Sequence, residues 1–478
     1  MRGSSLSSLP TRTAREQAIL TGPILPTILR LAAPNAFTVI VQSLVIVVET
    51  VFVGTLGPQA LAANAYVFPF LVLMQTMSTG AMGGGVSSSV ARALGAGDLA
   101  RARALVLHAT LIAIGFGLLF TLLMRGFGPA IYGAMGARGT VLDLALRYSD
   151  TLFAGVTTIW LANTLLSIVR GTGNMAMPTA ILLATAGVQM TLGYALTQGV
   201  GPLPSAGIAG IGWSTILANG LGAATTLAFL FSPQSRVRPA VAGVRPSWPM
   251  FRDILRVGGV AIFFSLQNAF AVMVLSGVIG GFGAAAVAGY GIGARLEMLQ
   301  ISIVFGIGAA LVPMVGMNFG AGQIARARRI TLVGALAAAA ISGIIGTVFA
   351  VMPQWWSGLY TADPLLREAT ATYLQRVGPT FALFGFGICL YFATQGSGRV
   401  IEPVLAATAR LVLVLVGATL VIRWGGDYTM LCWVIAAAMI AYGLLAGAAL
   451  VFTPWRAPEP AGRAAPPTVA QVSTATAK

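Results

Sequence analysis

Apolar residues run along this chain in long stretches, broken by short gaps marked with Gly, Pro or Arg. Twelve stretches stand out, at about 25–54, 60–86, 104–124, 144–168, 176–199, 207–231, 254–281, 284–313, 330–352, 369–393, 402–424 and 430–452. Each is long enough to cross a bilayer core as a helix, which takes about 20 residues. The hydrocarbon interior admits only helices or closed barrels, because every backbone polar group there needs an internal partner. The pattern predicts an all-α polytopic membrane protein with 12 transmembrane helices. It divides the chain into a cytosolic N-terminal tail (1–24), a first half (25–231), a polar Arg/Pro-rich linker (232–253), a second half (254–453) and a Pro/Ala/Thr-rich, disordered tail (454–478).

The two halves repeat. Ile28-Leu29-Arg30 returns as Ile254-Leu255-Arg256, and Gly54 and Gly57 return as Gly280 and Gly283, all 226 residues on. Gly95, Gly97, Arg101 and Arg103 return as Gly320, Gly322, Arg326 and Arg328, and Gly171, Gly173 and Pro178 as Gly396, Gly398 and Pro403, all at 225. One register held over four separate blocks is the mark of a duplication. Six helices per repeat is an even number, so both halves share one orientation. The expected architecture is two six-helix lobes related by a pseudo-two-fold axis along the membrane normal, with a cleft between them.

Composition sharpens this picture. Hydrophobic residues make up 57% of the 478 and charged residues 8%, against about 25% charged in soluble domains. A soluble enzyme, a disordered protein and a disulfide scaffold are excluded. The net charge of +16 reads as the positive-inside rule rather than as a nucleic-acid surface. Of 28 Lys and Arg, 20 fall on the side of the tails and the even-numbered loops, six on the other side, and Arg295 and Arg410 within spans. Both termini are therefore expected in the cytoplasm. The repeated segments Ser87–Arg103 and Gly316–Arg328 read as cytosolic loops whose arginines set topology. The only Lys is Lys478, which leaves no Walker A loop. A single His108 and the in-span Cys389 and Cys432 leave no metal cluster and no catalytic dyad.

A carboxylate inside a span is costly and points to function. Glu49 follows the apolar run Phe37–Val48 with nothing basic beside it. Low dielectric penalises the charged form of such a group, which suits a proton carrier; with neighbouring oxygens it would hold Na⁺ instead. Its repeat mate is Leu275, so the site belongs to one half. The alternative is a glutamate reaching the outer interface. Arg295 and Glu297 lie two residues apart and cannot share a helix face. We read them as a structural charge network with partners elsewhere. Gln42, Asn64, Asn163, Gln267, Asn268 and Tyr290 are candidates to line a substrate path, with helix-to-helix bonding as the alternative for each. Pro34 removes one backbone hydrogen bond and permits a bend in the first span. The clusters Gly83-Gly84-Gly85 and Gly306-Ile307-Gly308 are expected to let helices approach closely.

Val48-Glu49-Thr50-Val51-Phe52-Val53-Gly54-Thr55-Leu56-Gly57, followed by Ala60-Leu61-Ala62-Ala63, resembles the first-helix signature of the multidrug and toxic compound extrusion (MATE) family. Ser87 to Gly97 resembles its loop after helix 2. Val169-Arg170-Gly171-Thr172-Gly173 with Pro178 resembles its loop after helix 4, and Gln395-Gly396-Ser397-Gly398-Arg399 with Pro403 the second copy. The similarity covers residues 20–455. It implies a secondary active exporter that exchanges H⁺ or Na⁺ for organic, often cationic, compounds, with no cofactor beyond the coupling ion. A first-helix acid, usually Asp, is the coupling residue in many prokaryotic members, and it falls on Glu49.

NorM-type members carry further acids in helices 7 and 10, where this chain has Ser265–Gln267 and Phe384. That favours the DinF-like arrangement, with coupling in the N-terminal half. Polar residues of helices 5 and 6 help bind the cation there. The family's asparagine and aspartate are replaced by Gln189 and Gly193, while a threonine persists at Thr215. The implied ion-coupling set is Glu49, Gln189 and Thr215, with protonation favoured over a cation site. The alternative is a lipid-linked oligosaccharide flippase of the same superfamily. We expect a monomer in a bacterial inner membrane, with small organic substrates and the bilayer as its partners and no nucleic acid.

Overall fold

The computed structural model describes residues 12–200, 204–239, 245–453 and 455. Among them the regular elements are all helical. The first half holds α1 (Ala14–Thr21), α2 (Ile24–Gly54), α3 (Pro58–Thr76), a π-helical turn (Met77–Met82), α4 (Gly83–Gly95), α5 (Leu99–Ala134), α6 (Gly139–Ala154), α7 (Val156–Gly171), α8 (Ala176–Gln198) and α9 (Ala209–Phe231). The second holds α10 (Trp248–Gly280), α11 (Ala284–Gly320), α12 (Ile324–Val351), α13 (Pro353–Ser357), α14 (Pro364–Val377), a 3₁₀ turn (Gly378–Thr380), α15 (Phe381–Ser397), α16 (Ile401–Arg423) and α17 (Tyr428–Phe452). Eleven stretches are long and apolar enough to cross a membrane, and α6 with α7, meeting at 46°, make the twelfth. These are the twelve expected spans, six to a lobe. An even number of crossings brings both chain ends to one face, here the terminal face.

The duplication is written into the backbone. Left-handed glycines occur in pairs at the repeat spacing: Gly57 (φ 102°) with Gly283 (φ 94°), Gly97 (77°) with Gly322 (76°), Gly173 (78°) with Gly398 (78°), and Gly199 (75°) with Gly425 (64°). Each pair closes the same turn in its lobe, a conformation that a Cβ disfavours. The axis itself is visible at Gly95 and Gly320. A Cβ at Gly95 would overlap the Met317 carbonyl, and one at Gly320 the Arg92 carbonyl. Gly95 and Arg92 are the repeat mates of Gly320 and Met317, so the two contacts are one contact made twice. This is the reciprocity that two-fold packing requires.

The sequence reading needs correction at this face. Ser87–Arg103 and Gly316–Arg328 are not loops. α4 runs to Gly95 and α11 to Gly320, and only short turns precede α5 and α12. Gly and Ser lower the hydropathy of these segments, but together with Ala, as small residues, they let these helix ends pack backbone to backbone across the lobes. Gly85 faces the backbone of Ile254 and Gly258, Gly306 faces Ala36, and Gly316 faces Ala91, each across the lobes. Nor do the arginines only set topology. Asp253 of α10 is bridged by Arg92 at 2.6 Å and Arg101 at 2.9 Å, both from the other lobe, and Arg92 also donates to the Gly396 carbonyl. His108 accepts from Ser247 N–H through Nε2 at 2.9 Å, with Nδ1 on the Ala104 carbonyl. The one histidine therefore pins the start of α10 to α5. These contacts close the lobes on one another at the terminal face.

One further expectation changes: residues 12–24, read as tail, contain the docked helix α1. α2 is helical through Pro34, whose missing N–H leaves the Arg30 carbonyl without its partner one turn on. A break of 46° separates α6 from α7 at Gly155. Residues 1–11 of the expected N-terminal tail, 240–244 of the linker, and 454 and 456–478 of the C-terminal tail lie outside the described residues.

Candidate functional site

Glu49 stands on the last two turns of α2, half-buried where α2 packs on α8 and α8 on α9. Gln189 on α8 donates from Nε2 to Glu49 Oε1 at 2.7 Å and reaches Thr215 Oγ1 on α9 at 3.3 Å. The Thr215 hydroxyl donates to the Ile211 carbonyl at 2.9 Å, which leaves its oxygen as the acceptor for Gln189. The three residues singled out in separate spans thus form one hydrogen-bonded chain that ends on the carboxyl. Glu49 is turned into the lobe rather than left reaching for the interface.

Tyr148 on α6, 2% exposed, lies close enough to feel the Glu49 charge. Sequence reasoning missed it. The available signal was a hydroxyl-bearing aromatic inside an apolar span. At Gly193 an added Cβ would sit 3.4 Å from Ser214 Oγ and 3.7 Å from the Phe52 ring, which is ordinary contact. Gln42 is exposed two turns before Glu49 on the same stripe of α2, and Asn64 is half-buried on α3. Both lie outside the hydrogen-bonded trio.

Asn163, read as a path-lining residue, is buried and donates to Ser78 Oγ at 2.8 Å. Ser78 sits in the π-helical turn of the second span, so Asn163 supports an irregular backbone segment of a kind that often marks functional sites.

The second lobe holds a separate polar cluster. Tyr373 donates to Glu297 Oε2 at 2.8 Å, and Tyr290 packs edge-on to Tyr373 at 5.5 Å. The Arg410 guanidinium lies 4.7 Å over the Phe384 ring and 3.4 Å from Asn268 Oδ1, and its charge bears on Glu297. Gln267 donates to Thr408 Oγ1. Arg295 is not in this cluster: it is exposed, 5.2 Å over the Tyr360 ring. The expected network around Arg295 and Glu297 is therefore two arrangements. Glu297 with Tyr373 and Arg410 faces inward, and Arg295 packs on an aromatic at the periphery. The i, i+2 spacing predicted this separation but not the partners, which lie 76 and 113 residues away in sequence.

Comparison with known proteins agrees with this architecture. The MatE family model matches residues 34–195 and 261–420. A probable multidrug resistance protein NorM of Bradyrhizobium diazoefficiens is 30% identical over 365 residues, covering 74% of this chain and 76% of its own. A protein of Shewanella oneidensis named FAD transporter is 25% identical over 403 residues, with 83% and 88% covered. A solved structure of MATE in the straight conformation superposes with a TM-score of 0.84 at 23% identity, over 92% of this chain and 98% of that one.

Proposed function

The chain belongs to the MatE family of membrane transporters, and we propose from that premise that it is a secondary active multidrug exporter driven by protons through Glu49. The observation that carries the reading is the Glu49–Gln189–Thr215 chain inside the first lobe. A carboxylate in an apolar lobe is costly unless it is paired with a counter-charge; Glu49 has one directed hydrogen bond and no salt bridge among the described residues, so taking up a proton relieves that cost. With a Gln189 N–H donor between the Glu49 and Thr215 oxygens, the place a bare cation would take is filled. That favours H⁺ over Na⁺ as the coupling ion, and coupling in the first lobe, as in the DinF-like arrangement.

In the cycle, Glu49 takes a proton from the outer side and the substrate leaves the cleft. The lobes then rock until the terminal face opens and the proton departs to the cytosol. Coupling requires only that proton and substrate favour different states. Gln42 and Asn64 in the first lobe, and Asn268 and Tyr290 in the second, are the polar contacts a bound organic compound would meet. The relatives named multidrug resistance protein and FAD transporter make an organic cation and a flavin dinucleotide the two substrates to assay. The flippase alternative calls for a strongly basic cavity; Arg295 is held over Tyr360 and Arg410 between Phe384 and Asn268.

The test is efflux from proteoliposomes under an imposed pH gradient and, separately, a Na⁺ gradient. Protons alone should drive efflux, and Glu49→Gln should lower that rate at least about tenfold, since its side chain cannot cycle a proton. Drive by Na⁺ alone, or full activity in Glu49→Gln, would overturn the assignment.

A further inference from the structure

α1 has eight residues, too few to persist as an isolated helix in water. It is nevertheless well fixed. Thr13 and Glu16 cap it reciprocally, with Thr13 N–H on Glu16 Oε2 at 2.9 Å and Glu16 N–H on Thr13 Oγ1 at 3.3 Å. Glu16, 4% exposed, also accepts from Arg236 Nε at 2.9 Å, just beyond α9. Ile19 and Leu20 are 2% and 3% exposed. The Ile19 side chain fills the space that Gly173 leaves by lacking a Cβ. These contacts belong to the first lobe.

The backbone of the same helix is held by the second lobe. The Ile19 carbonyl accepts from Asn318 Nδ2 at 3.2 Å and from Arg326 Nη2 at 3.5 Å, and Arg326 also donates to the Gly22 carbonyl. Asn318 is fully buried at the end of α11. α1 is therefore clamped between Gly173 and Arg236 on one side and Asn318 and Arg326 on the other. Only Gly22 and Pro23 separate it from α2 of the first lobe. A motion that parts α4 from α11 must therefore break one side of this clamp, either the Asn318 and Arg326 contacts or those to Gly173 and Arg236.

We infer that α1 is a strap across the terminal face, which holds the two lobes closed there and sets how often the transporter opens to that side. The inference rests on the alternating-access reading above. Its test needs neither substrate nor gradient, so its failure would leave the efflux assignment standing.

The full-length protein is spin-labelled at Arg103→Cys and Arg329→Cys, exposed positions in opposite lobes at the terminal ends of α5 and α12. The native Cys389 and Cys432 are buried. The distance between labels is measured in lipid nanodiscs. The parent should populate mainly the short separation. Arg326→Ala should raise the ratio of long to short about tenfold, the worth of a charge-assisted hydrogen bond. Glu16→Arg should raise it as well, and Glu16→Arg with Arg236→Glu should bring part of it back. Arg328→Ala, whose guanidinium bonds the Leu450 carbonyl within its own lobe, should leave the ratio unchanged. Parent-like distributions in both Arg326→Ala and Glu16→Arg would overturn the strap, as would an equal rise in Arg328→Ala.

Discussion

At the scale of single residues, two substitutions separate the roles of the two polar clusters. Gly193 stands where the family resemblance places an aspartate, and its surroundings accept a Cβ at ordinary contact distances. Gly193→Asp would put a second carboxyl beside Ser214, in the lobe that holds Glu49 and Thr215. Two carboxylates with hydroxyl oxygens are what a hard cation binds. We expect Gly193→Asp to make efflux respond to a Na⁺ gradient; an unaltered ion dependence in proteoliposomes would refute that. In the second lobe, Arg410 is 9% exposed and linked to Asn268, Phe384 and Glu297. Arg410→Ala should cost about 2 kcal/mol, because it removes a buried cation–π contact with Phe384 and a charged donor to Asn268. Arg295→Ala, which loses one exposed cation–π contact, should cost about 1 kcal/mol or less. Denaturant titration in detergent micelles reads both, and equal losses would mean that Arg295 belongs to the same network after all.

At the scale of helices, the contact between α4 and α11 makes a different prediction. Gly95→Ala and Gly320→Ala both press a methyl group onto a carbonyl of the opposite lobe. They should raise the long-separation population between labels at positions 103 and 329, and by similar amounts, because the contacts are repeat mates. Gly97→Ala meets no neighbour but sits at φ 77°. It should cost about 1 kcal/mol of stability and leave the lobe spacing as it is. If Gly97→Ala opened the lobes and Gly95→Ala did not, the pseudo-axis would be misplaced.

This interface also marks where sequence reading stopped. The twelve spans and their repeat were legible because hydrophobic runs and turn glycines carry them directly. Glu49, Gln189 and Thr215 were legible because a polar residue in an apolar span is conspicuous and the resemblance gathered all three. The lobe contact was not, since Gly, Ala and Ser at the ends of α4 and α11 look like loop composition until a facing helix is present. α1 was missed for a related reason: its helix is held by partners up to 307 residues away, not by its own periodicity. Asp253, Tyr148 and Tyr373 likewise draw their meaning from residues far off in sequence.

For the whole molecule, charge must do two jobs at one face. The terminal face carries 20 of the 28 basic residues by the sequence count. Arg92, Arg101, Arg236 and Arg326 among them also tie the lobes and α1 together. The positive-inside rule counts residues irrespective of such contacts, so orientation and closure should be separable. Arg103 and Arg329 are exposed, and removing these two from the twenty still leaves three basic residues at this face for each one of the six opposite. The label-bearing protein should therefore insert as the parent does. A reporter that fluoresces only in the cytosol should be bright when fused after Lys478. A phosphatase active only outside the cytosol should be silent there and active when inserted at Gly136, in the turn between α5 and α6. Phosphatase activity at the C-terminus would invert the molecule. The closed terminal face would then look outward, and Glu49, near the far end of α2, would meet the cytosol first, so the proton route proposed above would have to run the other way.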